Sequence, residues 1–374
     1  MDDMQNPFVY GTVVTGPDFV GRESEIRNLR MSVRNGKSTV IYSDRKMGKS
    51  SLLAEFMRRY DDDYIFVYLD TYGITGLNEF LEKFAEEVTR HSLSKVRRFA
   101  SSFLETIKGT GLRVIMTEDG EVGIELRSAR PRQHEIDEVF ELPEKIAKLS
   151  RKKMVVIIDE FQDVAGVGGV QLIKAMRSKF QWHKNAVYVF SGSKRHMLMS
   201  IFEEHEGAFY KFARPMTLSA IPADEFKDYL VRKYSSAGGS LSDEVATKVV
   251  EAGGGYPYYV QHVAYELFQI SMHPTLDDVD VAIQNTVDHQ SSAFMNMWES
   301  VRSLLHRRYL LAIAREPGIP QGVAFIERHA LRSPSHISRI RSQLEKKGLT
   351  EKGRIIDPFF ARWLRTASLR NGQE

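Results

Sequence analysis

The sequence predicts an α/β protein with a parallel sheet, followed by a mainly helical C-terminal part. Four short apolar segments bounded by polar or turn-forming residues have the composition of buried strands. Helical spacing of apolar residues lies between them, and such βαβ alternation is typical of a parallel sheet. From Ile221 onward helical patterns dominate. The predicted strands are Ser38–Tyr42, Tyr64–Asp70, Met154–Ile158 and Ala186–Phe190.

Helices are predicted both between these strands and after them. Residues 92–150 interrupt the alternation, with a basic helical stretch to about Ile107 and two short strands around Asp119-Gly120, a typical hairpin turn. We interpret this segment as a helix and hairpin inserted at the rim of the sheet. The predicted helices are Leu77–His91, Glu135–Lys148, Val170–Phe180, Ala223–Tyr234, Ser242–Ala252, Pro257–Met272 and Leu276–Trp298.

Composition limits the class of protein. The chain has 374 residues, 42% of them hydrophobic and 27% charged, which suits two or three folded domains and excludes global disorder. The sequence has no apolar run of membrane-spanning length, and its polar N-terminus does not resemble a secretory signal. We therefore expect a cytoplasmic protein with no membrane partner. The absence of cysteine excludes disulfides and thiol catalysis, while His, Asp and Glu remain available to hold a hard cation.

The C-terminal segment differs from the rest in charge. Residues 301–374 contain 15 Lys and Arg against 6 Asp and Glu, a net charge of +9, which leaves −6 for residues 1–300. Three helical patterns followed by a hairpin turn at Lys352-Gly353 predict a winged helix-turn-helix. The helices are predicted at Leu304–Ala314, Val323–His329 and His336–Lys347.

The loop after the first predicted strand has the composition of a phosphate-binding loop. Such a loop needs backbone N–H groups at a helix N-terminus, a cation for the phosphates and a hydroxyl for Mg²⁺. Gly48 permits close backbone approach, Lys49 can reach the phosphates, and Ser50 is the candidate Mg²⁺ ligand. The pattern G-x-x-x-x-G-K-[ST] has glycine where this chain has Ser43, so an ordinary helix start is the alternative for this motif taken alone. The predicted nucleotide contacts are Ser43, Asp44, Arg45, Lys46, Met47, Gly48, Lys49, Ser50 and Ser51.

Two carboxylates end the third predicted strand. A buried strand avoids such groups unless a cation or a catalytic role requires them. At the carboxyl end of a parallel strand they face the ligand crevice. Asp159 is predicted to help hold Mg²⁺, often through water, and Glu160 to orient and deprotonate the attacking water. The alternative is a strand end that simply reaches solvent.

With both motifs present, the chain resembles the AAA+ and STAND group of ATPases, and most closely the archaeal-type ATPase family. The resemblance extends over nearly the whole length. It implies an AAA+-like P-loop NTPase core at residues 1–220, a helical lid at 221–300 and a winged helix at 301–374. The similar segments are Asn6–Phe8, Phe19–Glu25, Arg45–Leu53, Ile157–Gln162 and Ser191–Ser193.

The resemblance also implies roles for residues outside the two motifs. Val20 and Gly21 would line the adenine pocket, and Arg22 would begin the helix that caps it; a plain turn is the alternative. Ser191 or Ser193 would contact the γ-phosphate or the attacking water, although a short polar strand end would have the same sequence.

Two further positions are implied by the resemblance. Arg214 would stabilise charge that develops on the γ-phosphate, either within the chain or across a subunit boundary, unless it is an ordinary surface arginine. Pro257, in the glycine-rich segment 253–259, would lie over the nucleotide from the lid; a turn between two helices is the alternative.

We expect an ATPase that uses ATP and Mg²⁺ and is slow or stimulated by a partner. In one hypothesis it is a switch that acts on DNA through the winged helix. In the other the winged helix is a protein-interaction or autoinhibitory module, and self-association is possible. A weaker third possibility is a nucleotide-binding protein that barely hydrolyses. The predicted DNA contacts are Arg339, Gln343, Lys346, Lys352 and Arg354.

Overall fold

We describe the chain from a computed structural model, in residues 5–95, 111–116, 122–128, 130–318 and 322–370. The chain divides into two compact units, each with its own hydrophobic core. The sheet unit comprises Arg22–Arg45 and Lys49–Ser219. The helical unit comprises the chain up to Gly21, the short segment Lys46–Gly48 and everything from Ala220 onward. A further division of the helical unit into lid and winged helix near residue 300 stays a prediction.

The sheet unit contains a five-stranded parallel sheet. Its strands are β1 (Thr39–Tyr42), β2 (Ile65–Asp70), β5 (Met154–Asp159), β6 (Ala186–Gly192) and β7 (Arg214–Thr217). The order is β2-β5-β6-β1-β7, and all neighbours are parallel. Strands β1, β5 and β6 are buried along their whole length, as their apolar, β-branched composition requires. Because β6 separates β5 from β1, the carboxyl ends of these three strands are adjacent at one edge.

The fifth strand was not predicted from the sequence. Strand β7 is four residues long, mostly exposed, and contains Pro215. It lies at the edge of the sheet, which is where a strand tolerates proline. It therefore has neither the apolar run nor the alternation that identified the other strands.

Most helices of the sheet unit lie where the sequence predicts them, with small shifts at their ends, whereas helix α6 was not predicted. The predicted helix at Val170–Phe180 is the second half of a longer one, which is interrupted by non-helical backbone at Gly169. The helices of the sheet unit are α1 (Glu23–Arg34), α2 (Lys49–Tyr60), α3 (Leu77–Lys95), α4 (Gln133–Ser150), α5 (Val164–Phe180) and α6 (Arg195–Phe202).

The inserted hairpin is present in part. Strands β3 (Leu112–Met116) and β4 (Val122–Leu126) pair antiparallel. The backbone N–H of Leu126 donates to Glu82 of α3, and Leu112 and Leu126 join the core of the sheet unit. The predicted turn at Asp119-Gly120 and most of the predicted basic helix lie outside the described residues.

The helical unit contains nine α-helices among the residues that the structure describes. The predicted helix Leu276–Trp298 is two helices. They are separated at Gln290, whose N–H donates to the carbonyl of Val287, three residues back instead of the four of an α-helix. The helices are α7 (Ala223–Ser236), α8 (Asp243–Gly253), α9 (Pro257–Ile270), α10 (Leu276–His289), α11 (Ser291–Glu299), α12 (Leu304–Arg315), α13 (Val323–Arg328), α14 (Pro334–Lys346) and α15 (Pro358–Arg370).

The last helix was missed by sequence reasoning, which ended the chain at the hairpin. That hairpin is present as β8 (Thr350–Glu351) and β9 (Arg354–Ile355). Helix α15 follows, with Pro358 as its first residue, and buries four side chains at helical spacing: Phe359, Phe360, Trp363 and Leu364. No helix among the described residues is long and apolar enough to span a lipid bilayer.

Candidate active site

The loop between β1 and α2 has the backbone of a tight phosphate-type loop. Its residues with positive φ are Lys46 (φ 68°) and Gly48 (φ 79°), whereas Ser43 is not among the positive-φ residues. Ser43 is buried, and its Oγ donates to the carbonyl of Asp44 at 2.8 Å. The serine that replaces a glycine is therefore accommodated without left-handed backbone. Lys46 does adopt it, which is uncommon for a residue with a side chain and typical of functional loops.

Lys49 is the first residue of α2, and its side chain is almost completely buried. Its Nζ lies 2.7 Å from Asp159 Oδ1 and 2.8 Å from Glu160 Oε1. The structure therefore brings together the lysine of the loop and the two acids that end β5. A buried cation with two carboxylates is a strong electrostatic cluster, and breaking it would leave uncompensated buried charge.

Asp159 is held by neutral donors as well as by Lys49. Ser191 Oγ donates to Asp159 Oδ1 at 2.7 Å, and Tyr68 OH donates to Oδ2 at 2.8 Å. Burial alone would raise the pKa of Asp159, but the Lys49 ammonium and these hydrogen bonds hold it below its usual range. The carboxylate is therefore ionised and fixed in orientation.

Glu160 has left-handed backbone with φ 51°. Its conformation is supported by Thr71, whose buried Oγ1 donates to the carbonyls of both Asp159 and Glu160 at 2.8 Å. The carboxylate accepts from Gln162 Nε2 at 2.5 Å, and from the N–H and Oγ of Ser193 at 3.2 Å and 3.0 Å. Burial would raise the pKa of Glu160, yet Lys49 and these donors lower it. Strained backbone held by several bonds is typical of an active site.

Sequence reasoning missed several residues of this cluster: Tyr68, Asp70, Thr71 and Gln162. The end of β2 carried a usable signal, because Asp70 is a carboxylate at the carboxyl end of a parallel strand beside β5. Burial, with the nearby charges of Asp159 and Glu160, raises the pKa of Asp70. Ser50 interacts with the phenol of Tyr68, which in turn bonds Asp159.

The remaining loop residues vary in exposure. Met47 is buried, Arg45 is exposed, and Asp44, Lys46, Gly48, Ser50 and Ser51 are half-buried.

The three residues predicted near the base are divided between the two units, Val20 and Gly21 belonging to the helical unit and Arg22 to the sheet unit. Val20 is buried in the core of the helical unit. Gly21 (φ 62°) lies so close to α7 that a Cβ there would be 2.4 Å from Glu225 Oε2. Arg22 belongs to the sheet unit, where it precedes α1 and pairs with Glu25 at 2.9 Å.

Within the helical unit, the loop segment Lys46–Gly48 contacts the start of α9. The N–H of Tyr258 reaches the carbonyl of Lys46 at 3.5 Å. Pro257 lies beside Gly48, because a Cβ on that glycine would be 3.6 Å from the proline Cγ. The predicted lid residue is thus adjacent to the phosphate-loop backbone.

Lys46 is enclosed by acidic and aromatic groups of the helical unit. Its Nζ bonds Tyr259 OH and lies 3.0 Å from Asp357 Oδ2. It also lies 4.4 Å from the ring centroid of Tyr259 and 5.0 Å from that of Tyr258, which is within cation–π range. Asp357 caps α15, since its Oδ1 accepts from the N–H groups of Phe359 and Phe360.

Arg214 is not part of this cluster. It is the exposed first residue of β7 and pairs with Thr39, the first residue of β1. The phosphate loop follows the opposite end of β1, after Tyr42. The parallel register thus places Arg214 at the amino edge of the sheet, and its role at the γ-phosphate, within the chain or across a subunit boundary, stays a prediction.

In the segment predicted to be a winged helix, the predicted basic side chains are exposed to solvent. Ile337, Ile340 and Leu344 of α14 are buried, while Arg339, Lys346, Lys352 and Arg354 are exposed and Gln343 is half-buried. None of the four cations forms an ion pair with a residue that the structure describes.

Comparisons with known proteins agree with this geometry. The family described as an ATPase domain predominantly from Archaea matches residues 19–263. A search of curated proteins found no match. The Walker-type ATPase PABY2304 of Pyrococcus abyssi is 20% identical with a TM-score of 0.69, covering 93% of this chain and 96% of that one. The ORC2 protein of Aeropyrum pernix, solved as ADPNP–ADP complexes, is 12% identical with a TM-score of 0.58, covering 99% of each chain.

At these identities the solved structures show the fold alone, and they confirm the predicted α/β P-loop class with its helical C-terminal region. The family match spans well over half of the sequence and includes both Lys49 and the Asp159-Glu160 pair. The chain belongs to the family of ATPase domains found predominantly in Archaea.

Proposed function

We propose that this ATPase hydrolyses ATP with Mg²⁺ at the carboxyl edge of its sheet and works as a nucleotide-dependent switch. The contact of Lys49 with Asp159 and Glu160 carries the proposal, at 2.7 Å and 2.8 Å. This ammonium lies at the N-terminus of α2, where backbone N–H groups favour phosphate oxygens. A triphosphate bound there would compete with the two carboxylates for Lys49. Asp159 would then be free to hold the metal ion, and Glu160 to activate water.

Asp159 and Ser50 fit a Mg²⁺ ion, because an ionised carboxylate and a hydroxyl are the hard oxygen donors that this ion prefers. When bound, the ion neutralises charge on the β and γ phosphates. Ser191 and Tyr68 keep Asp159 oriented. Val20 and Gly21 are proposed to line the adenine pocket, Arg22 to begin the helix that caps it, and Pro257 to lie over the nucleotide from the lid.

Glu160 is proposed as the group that activates water. The water oxygen forms a bond to the γ-phosphorus, its proton passes to Glu160, and the bond from that phosphorus to the bridging oxygen breaks to release ADP. Ser193 and Gln162 both bond Glu160 and would hold it in line. Since its pKa is lowered, Glu160 is ionised and able to accept the proton at neutral pH.

Glu160→Gln tests this role. We expect phosphate release to fall by roughly 10²–10⁴-fold while ATP binding persists, the range for loss of a general base. Glu206→Gln is the matched control, because Glu206 is an exposed glutamate of the same unit. Wild-type protein that releases phosphate no faster than Glu160→Gln would instead establish the third possibility, a nucleotide-binding protein that barely hydrolyses.

DNA is the favoured target of the switch. Helix α14 and the β8–β9 hairpin carry four exposed cations, in the segment with net charge +9: Arg339, Lys346, Lys352 and Arg354. Four phosphate contacts would make the logarithm of affinity fall with that of salt concentration with a slope of about 3–4. Reversal of all four charges in the full chain should abolish binding, whereas binding with no salt dependence, or none by wild type, would reject this target.

A second candidate function is favoured by the Lys46–Asp357 ion pair. There the C-terminal segment acts as an autoinhibitory or protein-interaction module, since Asp357 holds a residue of the phosphate loop. Under this alternative nucleotide changes exposure or assembly without DNA. Light scattering after size exclusion, with ADP and with a non-hydrolysable ATP analogue, distinguishes the two: identical profiles would reject the alternative.

A further inference from the structure

The helical unit contains a cluster of three residues on α9 and α10 whose side chains are possible metal ligands. His262 and Glu266 are four residues apart on α9 and share one face, and His289 is the last residue of α10, which packs against α9. One ligand atom from each residue lies within 4.8 Å of the other two. Glu266 Oε1 is 3.2 Å from His289 Nδ1 and 3.6 Å from His262 Nε2.

His262 gives an independent reason to expect a ligand. It is only 1% exposed, yet neither ring nitrogen has a hydrogen-bond partner among the described residues. Buried polar groups are rarely left unpaired, and coordination to a metal ion would satisfy a ring nitrogen of this histidine.

The surroundings fix the ligands on one side and leave access on the other. The Tyr10 ring stacks on His262 with centroids 3.8 Å apart and an interplanar angle of 12°, which holds the imidazole plane. Glu266 is buried, whereas the His289 side chain is 57% exposed. A cation can therefore enter past His289 and keep water as its fourth ligand.

We propose that His262, Glu266 and His289 bind a divalent transition metal of the zinc class. Two imidazoles and one carboxylate form a set that Zn²⁺ accepts, with bonds of about 2.0–2.2 Å that put tetrahedral ligand atoms about 3.3 Å apart. The observed 3.2 Å and 3.6 Å need only small side-chain shifts to reach this geometry. Hard Mg²⁺ is disfavoured by the two nitrogen ligands.

The site would pin α9 to α10. Helix α9 begins at Pro257 and carries Tyr258 and Tyr259, the residues that enclose Lys46. The metal is thus structural, and its effect on the phosphate loop passes through the position of α9.

The full chain, freed of metal by a chelator and of any histidine tag, is titrated with Zn²⁺ and with Co²⁺ in excess Mg²⁺ and without nucleotide. We expect one ion per chain, a tetrahedral Co²⁺ absorption band and a higher unfolding midpoint. His289→Ala should lose at least about tenfold in affinity, the lower bound for residues that merely support a ligand.

His273→Ala is the matched control, because His273 is an exposed histidine between the same two helices, and it should bind like wild type. Because His289 is exposed, its variant should keep the circular dichroism of the metal-free wild type; Glu266→Gln provides a second loss variant. No stoichiometric binding, or equal affinity of His289→Ala and wild type, would overturn the site.

Discussion

Two lysines of the same loop, three residues apart, have different partners. Lys49 Nζ contacts Asp159 and Glu160 of the sheet unit, and these two acids also accept hydrogen bonds from the neutral side chains of Ser191 and Ser193. Lys46 contacts Asp357 and the rings of Tyr258 and Tyr259 of the helical unit. The first environment presents oxygen ligands and a candidate base, whereas the second presents aromatic surface and a helix cap.

The difference indicates that the two lysines have different roles. Chemistry needs ionised carboxylates that can turn to a metal or a water, and only the Lys49 setting offers them. Among the described residues, the acid that pairs with Lys46 is Asp357, and its carboxylate already accepts from Tyr259 and from two backbone N–H groups of α15. We therefore expect Lys49 to serve hydrolysis and Lys46 to report the state of the loop to the C-terminal segment.

The largest expected effect separates these two lysines. Lys49→Ala should lower steady-state phosphate release by at least about 10²-fold, because it removes a fixed charge that stabilises the transferred phosphoryl group. Lys46→Ala should keep the rate within about tenfold, since it leaves Lys49 and both acids in place. Phosphate release measured at saturating ATP checks both, and equal losses in the two variants would remove the distinction.

A smaller effect is expected from Asp357→Asn, which keeps a capping oxygen for α15 but removes the charge that faces Lys46. If the C-terminal segment restrains the loop, basal hydrolysis should rise a few-fold and amide exchange near α15 should quicken. Asp280→Asn is the control, because Asp280 is an exposed acid of the same unit paired with Lys248. An unchanged rate, with exchange also unchanged, would reduce the Lys46–Asp357 contact to a structural one.

Arg214→Ala should change little in dilute protein. The rate should stay within about a factor of two, far from the roughly 10³–10⁵ expected of an arginine engaged with the phosphoryl group. A wild-type rate that rises with protein concentration, and fails to rise in Arg214→Ala, would assign the arginine to the site of a neighbouring subunit. A large loss at high dilution would contradict the position that the sheet register gives it.

The smallest expected effect is on the free energy of unfolding of the sheet unit and its dependence on pH, through Glu144. Burial would raise the pKa of Glu144, but hydrogen bonds from Asn185, Ala186 and Lys184 lower it to about 2. A carboxyl with a lowered pKa stabilises the fold above its ordinary value of 4.5, and this contribution disappears as pH falls toward 2. Glu144→Gln should therefore cost about 1–3 kcal/mol at pH 7.

Urea unfolding at pH 7 and at pH 3 measures this cost, and the difference from wild type should shrink at the lower pH. Glu138→Gln is the control, because Glu138 lies on the same helix in a half-exposed pair with Lys145. A difference that persists unchanged at pH 3 would contradict the lowered pKa.

Local patterns were sufficient to predict most of the fold. Four strands were predictable because buried parallel strands are uniformly apolar. Helices between them were predictable from the helical spacing of their apolar residues. Strand β7 was not predictable, because it has almost no apolar pattern. Helix α15, in contrast, has apolar residues at helical spacing and could have been predicted: Phe359, Phe360, Trp363 and Leu364.

The site divides in the same way. Lys49, Asp159 and Glu160 were predictable because each is a charged residue next to a recognisable strand or helix end, where such residues bind phosphate, metal or water. Thr71 and Gln162 were not, since a hydroxyl or amide that supports a strained peptide has no local pattern. The position of Arg214 required the register of β7 on β1, which depends on pairing distant in sequence.

Titration calorimetry of the purified chain with ATP and Mg²⁺ tests the central claim most directly. We predict saturable heat with one nucleotide per chain in wild type and in Lys46→Ala, and its loss or strong weakening in Lys49→Ala. No heat with wild type, or identical isotherms for wild type and Lys49→Ala, would contradict the assignment of the Lys49, Asp159 and Glu160 cluster as the nucleotide site.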